Sequence, residues 1–159
     1  MSVALASVDK EKRTYCFGAD TGSFSGHTIH RIPTKIIRKH GILIGCTSSS
    51  TRICSLLKNT VFPELFLEQN IEEYLETEVV SVVKRFKQNN ESGLNEFQLL
   101  ILINGRLFIM WQDCSIIELV DNYGAVGAGR DMALGVLKTL EDFCLTPKER
   151  VEMANRDRD

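Results

Sequence analysis

Two glycines, Gly127 and Gly129, lie in a turn that leads directly into a helical apolar pattern, within the stretch NYGAVGAGRDMALGVL at residues 122–137. A glycine turn before a helix can hold a phosphate against its backbone amides, and the dinucleotide pattern requires G-x-G-x-x-G after a strand. The third glycine is missing here, and Asp131 at the helix start would repel a bound phosphate. The turn therefore favours tight packing over phosphate binding, and a nucleotide-binding module is the most distant functional hypothesis.

Two histidines, His27 and His30, are three positions apart. They lie beside a loop and an extended stretch, and no cysteine or acidic cluster completes a ligand set around them. The chain has five cysteines, an odd number without CxxC spacing, and most lie among apolar neighbours: Cys16, Cys46, Cys54, Cys114 and Cys144. We therefore expect no metal and no cofactor, and reduced cysteines in the core of an intracellular protein.

The second residue, Ser2, offers a different chemistry. A hydroxyl at the first position of a mature chain has its own general base, because the free α-amino group titrates near neutrality and takes the hydroxyl proton directly or through water. The sequence begins Met1-Ser2, and a small second residue favours removal of the initiator methionine. Ser2 is therefore a candidate nucleophile, although serine is also common at this position without any catalytic role.

The composition limits the kinds of partner. The chain has 159 residues, the size of one ordinary domain, with 43% hydrophobic and 25% charged residues and a formal charge of -2. This charge favours neither nucleic acid nor anionic lipid. The N-terminus has no basic segment before a long apolar run, and the longest apolar run, LLILI at residues 99–103, is too short to cross a bilayer. We expect a single domain over residues 1–159 in the cytoplasm, with no nucleic-acid or membrane partner.

The elements near Ser2 are predicted to be mainly extended. The segments SVALASV and TYCFGA flank the polar group DKEKR, which predicts a hairpin over residues 2–19. Residues 21–28 are rich in Gly and Ser and predict a loop, whereas GILIGC at residues 41–46 predicts an apolar strand. Hydroxyl side chains ahead of Ile53 predict a helix that begins near residues 48–50.

The remaining segments alternate between helices and strands. Apolar steps of three and four residues predict a helix over residues 71–88, and Asn104-Gly105 predicts a hairpin between FQLLILI and RLFIMWQ. CSIIELVD predicts a third strand, and helices are predicted over residues 130–143 and 147–155. The order of strands, two helices, strands and two helices predicts an α+β protein of four layers, with two packed sheets covered by helices on both outer faces.

Several segments together resemble proteasome β subunits and their bacterial relative HslV, which are N-terminal-nucleophile hydrolases. VGAGRDMALGVLKTLED is similar to the glycine turn and following helix of that family, FGAD to its short motif ending in Asp, and KIIRKHGILIG to its lysine segment and following strand. GCTSSS stands where the family has G-x-A-G-G. The similarity in order and spacing runs from about residue 2 to residue 157 and implies the same αββα sandwich.

The resemblance implies a catalytic site in which Ser2 is the nucleophile. Asp20 aligns with the buried Asp of the family, and Lys35 with its catalytic lysine if the intervening loop is one residue shorter. A lysine near the nucleophile lowers the pKa of the hydroxyl and the amine, while the Asp keeps that lysine charged and aimed. Ser48 falls where the family has a glycine whose backbone amide stabilises the oxyanion. Cys46 would line the specificity pocket, or else belongs to the core.

Two departures from the family concern the glycine turn and the C-terminal helix. Gly129 belongs to the turn, but Ala128 stands where the family has a serine, which removes one hydroxyl from the network around the terminal amine. Asp157 aligns with the supporting Asp of the family. The serine and the closing strands that follow in the family have no counterpart here, which implies a C-terminally shortened sandwich with a sheet edge that is exposed or covered by a partner.

The leading hypothesis is a proteasome-like or HslV-like peptidase in which Ser2 attacks peptide carbonyls and forms an acyl-enzyme. The resemblance implies a homo-oligomeric ring with inward-facing sites and peptide or unfolded protein substrates, supplied by an ATP-dependent unfoldase. The alternative is a catalytically weakened or inactive scaffold or binding subunit that keeps the fold and the ring. Ala128 and the shortened C-terminus are the features that favour this alternative.

Overall fold

Antiparallel strands form the two inner layers of the molecule. The computed structural model describes residues 2–20, 22–25, 28–31, 35–48, 52–66, 68–89 and 96–156. The strands within these residues are β1 (Ala4–Asp9), β2 (Thr14–Ala19), β3 (Gly22–Ser25), β4 (Thr28–Arg31), β5 (Ile36–Lys39), β6 (Ile42–Ser48), β7 (Phe97–Ile103), β8 (Arg106–Met110), β9 (Ile116–Glu118) and β10 (Tyr123–Val126). One sheet has the order β10-β1-β2 and a second has the order β5-β6-β7-β8-β9, while β3 and β4 pair as a separate hairpin.

Helices lie in two groups along the chain. The first group is α1 (Arg52–Asn59), then α2 (Ile71–Tyr74), a π-helical segment (Leu75–Val80) and α3 (Ser81–Asn89). The second group is α4 (Arg130–Thr139), a short 3-10 turn (Leu140–Asp142) and α5 (Pro147–Arg156). None of the described helices is long and apolar enough to cross a membrane.

Three hydrophobic clusters lie between the four layers of the molecule. Alternate residues of β1 face opposite sides, so Leu5 packs with Leu137 of α4 and Val151 of α5, whereas Ala4 and Ala6 face the five-stranded sheet. The other face of the five-stranded sheet packs against the first helical group, through side chains that include Ile53, Leu57, Tyr74, Leu75, Val79 and Val83. The layers are therefore helices, sheet, sheet and helices, which confirms the predicted αββα sandwich.

Two tight hairpins, with turns at His40-Gly41 and Asn104-Gly105, set the register of the five-stranded sheet. Asn104 and Gly105 both have positive φ, 49° and 73°, and they place Ile103 opposite Arg106. Positive φ at both central residues is the geometry of a type I′ turn, which matches the twist of the flanking strands. The Asn104-Gly105 hairpin predicted from the sequence is thus confirmed.

Several predicted boundaries were wrong. Gly22–Ser25 forms a strand where the sequence predicted a loop over residues 21–28, because its backbone pairing with Thr28–Arg31 does not depend on the intrinsic propensity of Gly and Ser. Ser48 is the last residue of β6 and the described part of α1 begins at Arg52, whereas residues 49 and 50, where the sequence also placed the helix start, lie outside the described residues. The strand Tyr123–Val126 was not predicted, since Gly124 and Ala125 are weak strand formers that are held in place by pairing with β1.

The helix predictions from residue 71 onward need smaller corrections. The helix expected over residues 71–88 spans residues 71–89 without a break but contains the π-helical segment. The helix expected over residues 130–143 ends at Thr139 and tightens into the 3-10 turn, a common way for a helix to close its last turn. The last helix begins at Pro147 as expected, because the missing N–H of proline costs nothing at a first helical position.

Candidate active site

Ser2 lies just ahead of β1, where its backbone is held by the glycine turn. The amide of Gly129 donates a hydrogen bond to the Ser2 carbonyl oxygen over 3.1 Å. Gly127 has a φ of +97°, and a Cβ at this position would lie only 2.3 Å from the same oxygen and 2.9 Å from Thr47 Cγ2. The turn therefore packs directly on the candidate nucleophile, and this close approach requires glycine at position 127.

Lys35 joins Ser2 to Asp20. Its Nζ lies 2.8 Å from Ser2 Oγ and 3.0 Å and 2.9 Å from the two carboxylate oxygens of Asp20. The side chains of Lys35 and Asp20 are only 8% and 15% exposed. The carboxylate also accepts a hydrogen bond from the Val3 amide over 2.8 Å, which fixes it against the start of β1. The ammonium group is thus directed at the hydroxyl of Ser2 by a nearly buried carboxylate.

This arrangement can stabilise negative charge on Ser2 Oγ. A cation in contact with a hydroxyl favours the alkoxide, and the effect is larger where water is excluded. Asp20 compensates the desolvation of the lysine, because an ammonium that is buried without a partner would lose its proton or destabilise the fold. Strand ends position all three groups: Asp20 follows β2, Lys35 precedes β5 and Ser2 precedes β1.

Two thiols lie beside this cluster. Cys54 Sγ donates a hydrogen bond to the Cys46 carbonyl oxygen over 3.8 Å, and the two side chains also interact with each other. That interaction and burial raise the pKa of Cys46 well above its usual range, whereas the same interaction and the charge of Lys35 lower the pKa of Cys54 despite partial burial. Cys46 is 1% exposed in the core between sheet and helices, which supports the core alternative for this residue over a pocket-lining role.

A cavity of about 410 Å³ opens beside Ser2. Gly127 and Ala128 of the glycine turn form part of its wall. Polar and charged side chains contribute much of the remainder: Thr47, Glu96, Gln98, Gln112 and Arg130. The space is large enough for part of a peptide, and the candidate nucleophile lies in its wall.

Ser48 and Asp157 have different positions relative to this cavity. Ser48 is the last residue of β6, paired with Phe97 and next to Thr47, which lines the cavity. The oxyanion role assigned to its amide stays a prediction. Asp157 lies outside the described residues, one position beyond the end of α5, so its supporting role also stays a prediction.

Gln98 was missed in the sequence. Its Oε1 accepts a hydrogen bond from the Gly127 amide over 2.9 Å, and its backbone oxygen accepts one from Thr47 Oγ1 over 3.3 Å. It is the one polar residue of β7, FQLLILI, and lies among apolar neighbours that are all buried. That isolated polar position was the available signal, because a polar side chain in an apolar strand needs a partner or a function.

The glycine turn uses its amides internally. Gly127 donates to Gln98 and Gly129 donates to Ser2, so two of the amides that a phosphate would require are already bonded within the protein. In the described part of the chain no three His, Cys, Asp or Glu side chains group as metal ligands. Of the two histidines considered as ligands, His27 lies outside the described residues and His30 lies in β4.

The fold is shared with several solved structures. BPH from Thiobacillus denitrificans matches with a TM-score of 0.72 and 18% identity over 97% of this chain and 87% of its own, and its complex with epoxomicin matches with a TM-score of 0.71. HslV from Trypanosoma brucei matches with a TM-score of 0.67 and 20% identity, covering 98% of this chain and 91% of that one. Anbu, the ancestral beta-subunit from Yersinia bercovieri, matches with a TM-score of 0.68 and 16% identity, covering 96% and 71%.

These likenesses confirm the fold that the sequence resemblance implied. The chain has the proteasome-like and HslV-like N-terminal-nucleophile fold over nearly its whole length. No protein-family model matches the sequence, and no curated protein is detectably similar to it in sequence. The activity must therefore be argued from the residues of the site.

Proposed function

We propose that this protein is an N-terminal-nucleophile peptidase subunit in which Ser2 attacks peptide bonds. The observation that carries the proposal is the 2.8 Å contact between Lys35 Nζ and Ser2 Oγ inside the ion pair with Asp20. This contact resembles the lysine and nucleophile pairing of the family, and no structural role requires a buried lysine to meet a terminal hydroxyl. Removal of Met1 is part of the proposal, because an acylated Ser2 nitrogen has no basic lone pair.

The proposed reaction has two stages. Ser2 Oγ attacks the carbonyl carbon of the peptide bond, and its proton passes to the free α-amino group of Ser2, directly or through water. The amide of Ser48 donates to the resulting oxyanion. The protonated α-amino group of Ser2 gives its proton to the leaving nitrogen, which breaks the C–N bond and leaves an ester on Ser2. Water then attacks the ester while the same α-amino group accepts its proton. The proton passes to Ser2 Oγ as the acid product is released.

The wider context of the proposed activity follows from the same resemblance. Copies of the chain assemble into a ring whose cavities face inward, in the cytoplasm, and an ATP-dependent unfoldase supplies extended substrates. The ring limits hydrolysis to chains that can enter it.

An epoxyketone tests the nucleophile, since it forms its ring adduct only with a terminal hydroxyl and the amine of the same residue. BPH, which shares the fold, has been solved in complex with epoxomicin. Intact mass spectrometry of the untagged protein should show loss of Met1 and one added epoxomicin, and Ser2→Ala should show no adduct. A mature protein with free Ser2 that remains unmodified at saturating epoxomicin would refute the peptidase.

The second candidate function is an inactive scaffold or binding subunit. Ala128 favours it, because this residue lines the cavity and stands where the family has a serine, so that a hydroxyl is missing there. If the protein is an inactive scaffold, we expect an assembled ring that forms no epoxomicin adduct and hydrolyses no peptide. In the peptidase, replacing Ala128 by Ser should raise the rate of epoxomicin addition; in the scaffold it should change nothing.

A further inference from the structure

Gln98 presents an amide to the cavity beside Ser2. Its side chain is half-buried and lines the same cavity as Ser2, Gly127 and Ala128. Its neighbours along β7 are buried apolar residues that pack between the layers. A lone amide at this position needs hydrogen-bond partners for both its oxygen and its nitrogen.

The Gly127 hydrogen bond fixes which way the amide points. A backbone N–H can only donate, so the atom of Gln98 that meets the Gly127 amide must be the oxygen Oε1, at 2.9 Å. The orientation of the side chain follows from this chemistry rather than from a choice between two similar atoms. The NH2 group is consequently the polar group that this side chain can offer to the cavity.

Within the part of the chain that the structure describes, this NH2 group has no acceptor. The Gln98 side chain makes the one hydrogen bond through Oε1, and its nitrogen makes none. Two N–H donors on the wall of the cavity are well placed to bind an acceptor from a ligand.

The charges around the cavity favour a neutral acceptor over an anion. Glu96 lines the same cavity and would repel a carboxylate. The guanidinium of Arg130 is already directed at the Gly127 carbonyl over 3.4 Å and at Asp131 over 3.7 Å. A peptide carbonyl is a neutral acceptor that an extended chain offers at every residue.

We propose that Gln98 is a substrate-binding residue, which donates a hydrogen bond from Nε2 to a backbone carbonyl of a peptide bound beside Ser2. The choice of a peptide as ligand rests on the proposed function. Gln98 has a second, positioning role, because its oxygen holds the turn that contacts the Ser2 carbonyl. Oε1 and Nε2 of Gln98 thereby connect the bound peptide to the position of Ser2.

Substitution by glutamate separates the two roles. Gln98→Glu keeps an oxygen acceptor for the Gly127 amide and removes the NH2 donor, whereas Gln98→Met removes both. Gln112→Glu is the charge control, because it adds the same negative charge to another glutamine of the same cavity. All three are made in the full chain carrying Ser2→Ala, so that binding is measured without turnover.

The experiment measures fluorescence anisotropy with fluorescein-labelled tryptic peptides of casein. Loss of one neutral hydrogen bond should weaken binding by roughly 3- to 10-fold in Gln98→Glu and Gln98→Met, and by less in Gln112→Glu. Thermal unfolding should be unchanged in Gln98→Glu and should occur at lower temperature in Gln98→Met, which has lost the Gly127 contact.

The outcomes separate this inference from the proposed function. Equal binding by Gln98→Glu and its parent, an equal effect of Gln112→Glu, or no binding of peptides by the parent would each overturn the role of Gln98. If Gln98→Glu weakens binding selectively but the protein with intact Ser2 forms no epoxomicin adduct, the binding role stands and the peptidase is refuted.

Discussion

Through its contacts with Ser2 and Asp20, the Lys35 side chain affects both the stability of the fold and the proposed reaction. Lys35 is 7% exposed, and its removal would leave the Asp20 carboxylate with less compensation for its burial. One charged group can therefore support the fold and the proposed reaction at the same time. The two contributions can be separated, because a guanidinium keeps the charge but changes the geometry.

We expect Lys35→Met to lower the rate of epoxomicin addition by roughly 100-fold, the size of effect seen when one preorganised electrostatic contact is lost. It should also lower the free energy of unfolding by about 1–3 kcal/mol, because the ion pair between Lys35 and Asp20 is lost. Lys35→Arg should recover part of the stability but little of the rate. Mass spectrometry and urea unfolding measure the two quantities, and an unaltered addition rate would remove Lys35 from the mechanism.

The two neighbouring thiols should titrate in different pH ranges. The pKa of Cys54 is lowered, so its thiolate forms at lower pH than that of Cys46, whose pKa is raised. As the pH rises, iodoacetamide should alkylate Cys54 first. Peptide mapping after short exposures at a series of increasing pH values would show the order in which the two thiols react. In Lys35→Met the Cys54 profile should move to higher pH, and coincident profiles for Cys46 and Cys54 would contradict the assignment.

At the scale of elements, the separation of the two sheets is set by small residues. A Cβ on Gly45 of β6 would lie 2.6 Å from Ala4 Cβ and 2.7 Å from the ring of Phe17. The sheets thus approach closely at the point where β1 begins, next to Ser2. This approach brings Lys35, whose carbonyl accepts a hydrogen bond from the Cys46 amide, within reach of the nucleophile.

The same substitution should have opposite effects at two glycines. Gly45→Ala forces the sheets apart and should destabilise the protein by roughly 1–3 kcal/mol, the usual cost of overpacking. Gly135 of α4 is exposed with no atom within 4 Å of a new Cβ, so Gly135→Ala should stabilise by up to about 1 kcal/mol through helix propensity. Thermal unfolding of both variants checks the pair, and a neutral Gly45→Ala would show that the sheets can separate without cost.

The sequence predicted elements where local chemistry is strong and failed where pairing is distant. Asn104-Gly105 and Pro147 specify a turn and a helix start by themselves, and both were predicted. The strand at Tyr123–Val126 depends on β1, more than a hundred residues earlier, so its local pattern carried little information. Gln98 was missed for the same reason, since its partner Gly127 is distant in the chain. The positions of Asp20 and Lys35 were inferred from the family resemblance, which carries long-range information that propensity lacks.

At the scale of the whole molecule, the two sheets and their helical layers leave large apolar side chains at the surface. Val61, Phe66 and Val120 are 85%, 71% and 94% exposed. Single exposed apolar residues are ordinary in monomers, so they do not by themselves identify an interface. The proposed ring is therefore best tested by measuring the mass of the protein in solution.

We expect light scattering to give a mass several times that of one chain for both the peptidase and the scaffold. Assembly also makes the unfolding temperature rise with protein concentration, because association stabilises the folded copies by mass action. Ser2→Ala should assemble like the unmodified protein, since the Ser2 hydroxyl hydrogen-bonds to Lys35 of the same chain and its proposed role is chemical. A monomer at every concentration would leave both ring hypotheses without support.

The pairing of β1 with β10 has a consequence for biosynthesis. Translation completes Ser2, Asp20 and Lys35 early, but the turn that holds the Ser2 carbonyl arrives only with Gly127 and Gly129. Domains fold as the chain emerges, so a ribosome-bound fragment carries these three side chains without the turn that completes the candidate site. The candidate site is thus assembled late in synthesis, so under the proposed peptidase function a nascent chain would be inactive until Gly127 and Gly129 have been added.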